Sequence, residues 1–197
     1  MELEKRVYTI DGFEVEERDG KPSVMRGYAA VFNELSQDLG GFREQIAAGA
    51  FTEALTRDDV RALFNHDPNY VLGRNRSGTL KMSEDQRGLA IEITPPDVQW
   101  VRDLLVSMKR GDINQMSFAF RVMPNGQDWA KDEEGRVVRT LKRLQLFDVS
   151  PVTYPAYTGT SVSARDAFAE YQKTQQEDLT EFYRQQNDIM RRRLQIL

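Results

Sequence analysis

Residues 116–122 read Met116-Ser117-Phe118-Ala119-Phe120-Arg121-Val122. In an extended chain successive side chains point to opposite faces, so Met116, Phe118, Phe120 and Val122 share one face and Ser117, Ala119 and Arg121 the other. The stretch is a β-strand whose large apolar face meets a core. Strand serines are ordinarily tolerated on a solvent face, but Ser117 interrupts an apolar strand, and its hydroxyl meets either water or a cleft.

Upstream of this strand lies the clearest helix, over residues 97–110. Pro95-Pro96 precedes it, Asp97 is positioned as its cap, and Val98, Val101, Leu104, Leu105 and Met108 recur at helical spacing before Gly111 ends it. Downstream, residues 126–135 form a polar connection and residues 136–149 another long strand.

Further out the chain is strand-rich. Residues 6–32 alternate in two runs, with Val7 and Thr9, then Phe13 and Val15, turning at Asp19-Gly20. Gly40-Gly41 breaks the chain before a short strand over 42–46 and a helical turn through Phe51 and Leu55. Val60 to Phe64 is a short apolar run ending at Asn65-His66-Asp67-Pro68, which places His66 at or just past a strand end. Residues 79–82 and 89–93 read as a hairpin. After Tyr157 a Gly/Ser/Thr linker (158–163) leads into a long helix whose stripe comprises Phe168, Tyr171, Leu179, Phe182, Ile189 and Leu194. That stripe cannot be buried by the helix alone. Many strands with few helices give an α+β class with a β-barrel-like core over residues 1–160 and a helical tail over 161–197.

Composition excludes whole classes of chemistry. The chain has 197 residues, 40% hydrophobic and 29% charged, and no cysteine, which rules out thiolate nucleophiles, disulfides and Cys-based metal sites within it. With a single histidine the residues point to no metal and no cofactor. About 160 residues would bury roughly 70% of the unfolded chain's surface, enough to fold without staples. No run approaches the roughly 20 apolar residues of a membrane helix, and the charged N-terminus lacks a secretory signal, so the expectation is a cytosolic chain. Its formal charge of −4, with no exposed aromatic beside Arg139, Lys142 and Arg143, argues against nucleic-acid binding.

Any mechanism needing an imidazole must use His66. A serine nucleophile needs a base in hydrogen-bond reach and a third group to orient that base. If that chemistry exists here it joins Ser117 to His66, with Asp67, Asp112 or Asp148 as the third member. Asp67 adjoins His66 in sequence, where a side chain rarely wraps round to its neighbour's ring. Asp148, between Phe147 and Val149 at the end of an apolar strand, is the preferred candidate. The backbone of Val149-Ser150 is a candidate source of oxyanion donors.

Several blocks together resemble the prohead (capsid maturation) serine protease family of tailed phages. They are GYAAVF at 27–32, EQIAAGAF at 44–51, FNHD at 64–67, GTL at 78–80, DQRGL at 85–89, MSFAF at 116–120 and FDVSPVTYPAY at 147–157. The resemblance spans about residues 24–160. It implies a fold related to the herpesvirus assembly proteases, a β-barrel wrapped by helices, and a His–Ser pair at the positions of His66 and Ser117. The herpesvirus enzymes use a second histidine, which this chain lacks, and Asp148 fits the third position. The implied activity is a serine endopeptidase that works inside the assembling procapsid in the host cytoplasm. Its implied partners are the major capsid protein with its scaffold segment, the chain itself as a substrate, and a second copy in a homo-oligomer. The rival expectation is a non-catalytic procapsid core or assembly factor on the same barrel.

Overall fold

The computed structural model describes residues 3–9, 14–18, 21–154 and 162–194. Expectations resting on Phe13, on the Asp19-Gly20 turn and on linker residues 155–161 lie outside the described residues. Chain contacts divide the molecule into two units, Met1–Ser161 and Val162–Leu197.

The first unit runs β1 (Glu4–Thr9), β2 (Glu14–Arg18), β3 (Lys21–Val31), β4 (Arg43–Ile46), α1 (Thr52–Arg57), β5 (Arg61–Phe64), β6 (Asp67–Arg74), β7 (Leu80–Glu84), β8 (Gly88–Ile93), α2 (Gln99–Lys109), β9 (Gln115–Val122), β10 (Gln127–Lys131), β11 (Val137–Leu141) and β12 (Leu144–Val152). The strands form a five-stranded sheet in the order β1-β9-β12-β5-β6, a four-stranded sheet β2-β3-β8-β7 and a three-stranded sheet β10-β11-β4. The class is mixed α+β, mostly sheet. The expected barrel is not found: among the described residues the strands make three sheets with edges and no closed barrel. The break falls where one long strand was expected over 136–149. The Gly126 carbonyl accepts both Lys142 N–H at 2.7 Å and Arg143 N–H at 3.1 Å, and this bend moves the chain from the three-stranded sheet (β11) to the five-stranded one (β12).

The core follows from the alternation in β9. Met116, Phe118 and Phe120 are buried and pack with Phe51, Leu144, Leu146, Val149, Ile91 and Ile93. Phe118 stacks on Phe120 at 5.0 Å and meets Phe51 edge-on at 5.5 Å. Helix α2 buries Val101, Leu104, Leu105 and Met108 as its spacing requires. Its start differs from expectation. Val98 occupies the cap position and is 38% exposed, while Asp97 pairs with Arg102 instead of capping.

Between the sheets lies a buried ionic cluster. Arg139 on β11 donates to Glu4 on β1 and Glu44 on β4, and Arg6 on β1 donates to the same two carboxylates. Burial pushes Glu4's pKa upward, but the hydrogen bond and charge of Arg139, helped by Arg6, hold it below the ordinary carboxylate value. No buried side-chain nitrogen or oxygen among the described residues lacks a partner.

The second unit is one helix, α3 (Val162–Leu194). Leu179 and Phe182 are exposed on it, as are Tyr183, Ile189 and Met190. No helix among the described residues is long and apolar enough to cross a membrane.

Candidate active site

His66 sits at the tip of the β5–β6 hairpin. The two connecting residues, Asn65 and His66, have φ of +54° and +58°, the pair of positive values that a two-residue type I′ turn requires. Asn tolerates that region because its short amide bonds locally, and His is enriched there beside Asn among non-glycine residues. The turn is held from outside. Asn65 Nδ2 donates to Thr153 Oγ1 at 3.1 Å, Thr153 N–H donates to Asn65 Oδ1 at 2.9 Å, and Asn65 N–H donates to the Pro151 carbonyl at 3.0 Å. Three hydrogen bonds thus fasten the hairpin tip to the end of β12.

Ser117 comes from β9 and Asp148 from β12, neighbours in the five-stranded sheet. Leu146 pairs with Phe120, on the core face, whereas Asp148 pairs with Ala119, on the opposite face. The register slips by one residue at Phe147. Because the side-chain period is two, a one-residue bulge reverses the facing of everything beyond it. Without it Asp148 would follow Leu144 and Leu146 into the apolar core. With it, Asp148 and Ser150 lie on the face of Ser117, and Ser150 stands directly opposite Ser117. Arg121 packs its guanidinium over the Phe147 ring at 5.0 Å, covering the bulge.

These elements bring the three nominated side chains into one chain of hydrogen bonds. His66 Nδ1 lies 2.6 Å from Asp148 Oδ1, and His66 Nε2 lies 2.6 Å from Ser117 Oγ. A carboxylate only accepts, so Nδ1 carries the proton and donates to Asp148. That leaves Nε2 as the acceptor of the Ser117 hydroxyl proton, the tautomer a general base requires. Ser150 Oγ donates to the same Asp148 oxygen at 2.7 Å. Ser117 and Ser150 are fully buried; the His66 and Asp148 side chains keep 6% and 11% of their surface. The arrangement can deprotonate a hydroxyl and hold the resulting imidazolium against a fixed carboxylate.

The other candidates stand apart from this chain of bonds. Asp67 accepts from the Asn69 backbone and side chain, and Asp112 pairs with Arg110. Val149 pairs with Phe118 of β9 and Ala62 of β5, and Ser150 pairs with Ser117 of β9. Sequence reasoning missed the roles of Ser150, Asn65 and Thr153. The signal for Ser150 was its i+2 spacing from Asp148, which becomes meaningful only once the register is known.

A family model described as caudovirus prohead serine protease matches residues 11–176. The prohead protease of Enterobacteria phage HK97 is 30% identical over 151 residues, covering 74% of this chain and 61% of that protein. The chain therefore spans about three fifths of that relative's length. The structure of the bacteriophage T4 capsid assembly protease superposes with a TM-score of 0.50 at 13% identity, over 78% of this chain and 98% of that one. That last likeness is one of fold.

Proposed function

Because this chain belongs to the caudovirus prohead serine protease family, we propose that it is a serine endopeptidase using Ser117, His66 and Asp148. The observation that carries the reading is the unbroken relay from Ser117 Oγ through the His66 ring to Asp148, at 2.6 Å in each link.

Ser117 Oγ attacks the scissile carbonyl carbon while His66 Nε2 takes the hydroxyl proton. Asp148 holds the ring orientation and stabilises the imidazolium through the Nδ1–H bond. Collapse of the tetrahedral adduct breaks the C–N bond, and His66 returns the proton to the leaving amine. Water then adds to the Ser117 ester with His66 again accepting a proton, and release of the acid product restores the serine.

The substrates in this reading are the scaffold segment of the major capsid protein and the chain itself, cut inside the procapsid in the host cell. It relates the fold to the herpesvirus assembly proteases and takes residues 1–160 as the protease. Residues 161–197 serve as a docking or scaffold-like segment open to self-cleavage, and a homo-oligomer is compatible with the role. The test is intact mass against time for wild type beside Ser117→Ala, each alone and with its procapsid proteins. Discrete fragments in wild type only, with the tail lost there and kept in Ser117→Ala, are the expected result. Cleavage that survives Ser117→Ala sinks the assignment.

A further inference from the structure

Strand β6 is an edge of the five-stranded sheet and begins at Asp67, the residue after His66. Its ladder to β5 passes from Phe64–Asp67 to Leu63–Val71, so Pro68, Asn69 and Tyr70 stand outside that pairing. Residues 68–71 are all exposed. Among them Tyr70 and Val71 are large, and they are 43% and 42% exposed. The Tyr70 ring meets Trp100 edge-on at 5.2 Å and Phe64 at 6.5 Å. Val98, 38% exposed, lies two residues from Trp100. The result is an open aromatic shelf built from three elements: the end of β5, the β6 bulge and the start of α2.

Fold stability does not account for this exposure. A folding core would bury Tyr70 and Val71, and a protective edge would carry charge in their place. The position of the shelf does account for it. Phe64 immediately precedes the Asn65–His66 turn, and Tyr70 is four residues beyond His66, at most about 13 Å away along an extended chain. A peptide lying extended advances about 3.3 Å per residue, so a side chain within about four residues of the scissile bond reaches the shelf.

We propose that this shelf is a specificity subsite, taking one apolar side chain of an extended polypeptide whose carbonyl is presented to Ser117. It rests on the protease reading. An apolar side chain gains by leaving water for the Tyr70 and Trp100 rings, and the edge of β6, unpaired among the described residues, lies alongside for the peptide backbone. Charged or small residues at the same peptide position gain nothing there. Selection is therefore by one position and not by overall hydrophobicity.

The experiment exposes a positional-scanning library of dodecapeptides to the full-length chain. Cleavage products are sequenced for wild type, Tyr70→Phe and Tyr70→Asp. In parallel, peptides captured by immobilised Ser117→Ala and by Ser117→Ala/Tyr70→Asp are identified by mass. The expected result is a fixed-position preference for apolar side chains of about tenfold or more, kept by Tyr70→Phe and lost in Tyr70→Asp, with thermal midpoints unchanged. Peptides with alanine at that position should be cut equally by wild type and Tyr70→Phe. Cleavage without a fixed-position apolar preference, or an equal loss on every peptide, overturns the subsite. No cleavage, but capture that is apolar-biased and Tyr70-dependent, overturns the protease reading and keeps the subsite. Neither cleavage nor biased capture overturns both.

Discussion

The Asn65 clamp allows a prediction in which backbone and side-chain effects separate. Asn65→Gly keeps a residue at ease with φ of +54° but removes the two side-chain bonds to Thr153. At about 0.5–1.5 kcal/mol each these amount to about 1–2 kcal/mol after exposure is allowed for. Asn65→Ala removes the same bonds and adds about 1–2 kcal/mol for an alanine in the left-handed region. The pair should therefore fall in the order wild type, Gly, Ala, with Ala about 2–4 kcal/mol below wild type in urea unfolding. The same turn carries His66, whose ring must reach two partners at 2.6 Å. A shift of about 1 Å in the ring should cut kcat on a peptide substrate about 100-fold with little change in KM. Circular dichroism at working temperature establishes that each variant is folded when assayed. If Gly and Ala prove equally stable, the turn carries no left-handed strain. If both retain wild-type kcat, the clamp does not position the histidine.

Further outcomes follow from other residues. Arg139→Met removes the guanidinium that buried Glu4 and Glu44 share, which should cost about 3–5 kcal/mol and lower the thermal midpoint by about 10 °C. Ser150→Ala removes one donor from Asp148, so kcat should fall about tenfold with KM and the thermal midpoint unchanged, and Ser150→Thr should recover most of it. Glu4 lies below its ordinary pKa, and Asp59 is brought to about 2, chiefly by the Arg74 hydrogen bond. For both, the unfolded chain binds protons first, so each contribution is present above the unfolded carboxylate pKa and is lost as pH falls below it, for Asp59 through about 2. Urea midpoints measured across that range should decline with acidity, and Asp59→Asn should flatten part of the slope; a midpoint insensitive to pH there would exclude the linkage.

Period and elimination made much of this protein legible in sequence. Strand β9 was readable because its alternation is strict, and helix α2 because four apolar residues recur on one stripe. The histidine was found by being the only one, and Ser117 by interrupting an apolar face. What stayed hidden depends on register, which one sequence does not display. Simple alternation from Leu144 and Leu146 puts Asp148 on the core face, and only the extra residue Phe147 turns it toward Ser117. The β5–β6 hairpin was missed because its turn is Asn-His, whereas the usual signature for two positive φ values is Asn-Gly. The bend at Lys142-Arg143 reads as continuous strand in sequence because its cause is a carbonyl 16 and 17 residues earlier, at Gly126. The long α3 helix was visible as a stripe, but its exposed side is a tertiary fact.

The complete burial of the Ser117 hydroxyl has a kinetic consequence. A reagent or peptide too large to enter the closed fold reacts only with molecules that have opened, so its observed rate is intrinsic reactivity multiplied by the open fraction. Each 1.4 kcal/mol of opening free energy then removes a factor of ten from acylation, whatever the quality of the relay. For such a peptide, whatever favours the opened form would raise acylation by the factor by which it raises the open fraction, without touching the chemistry.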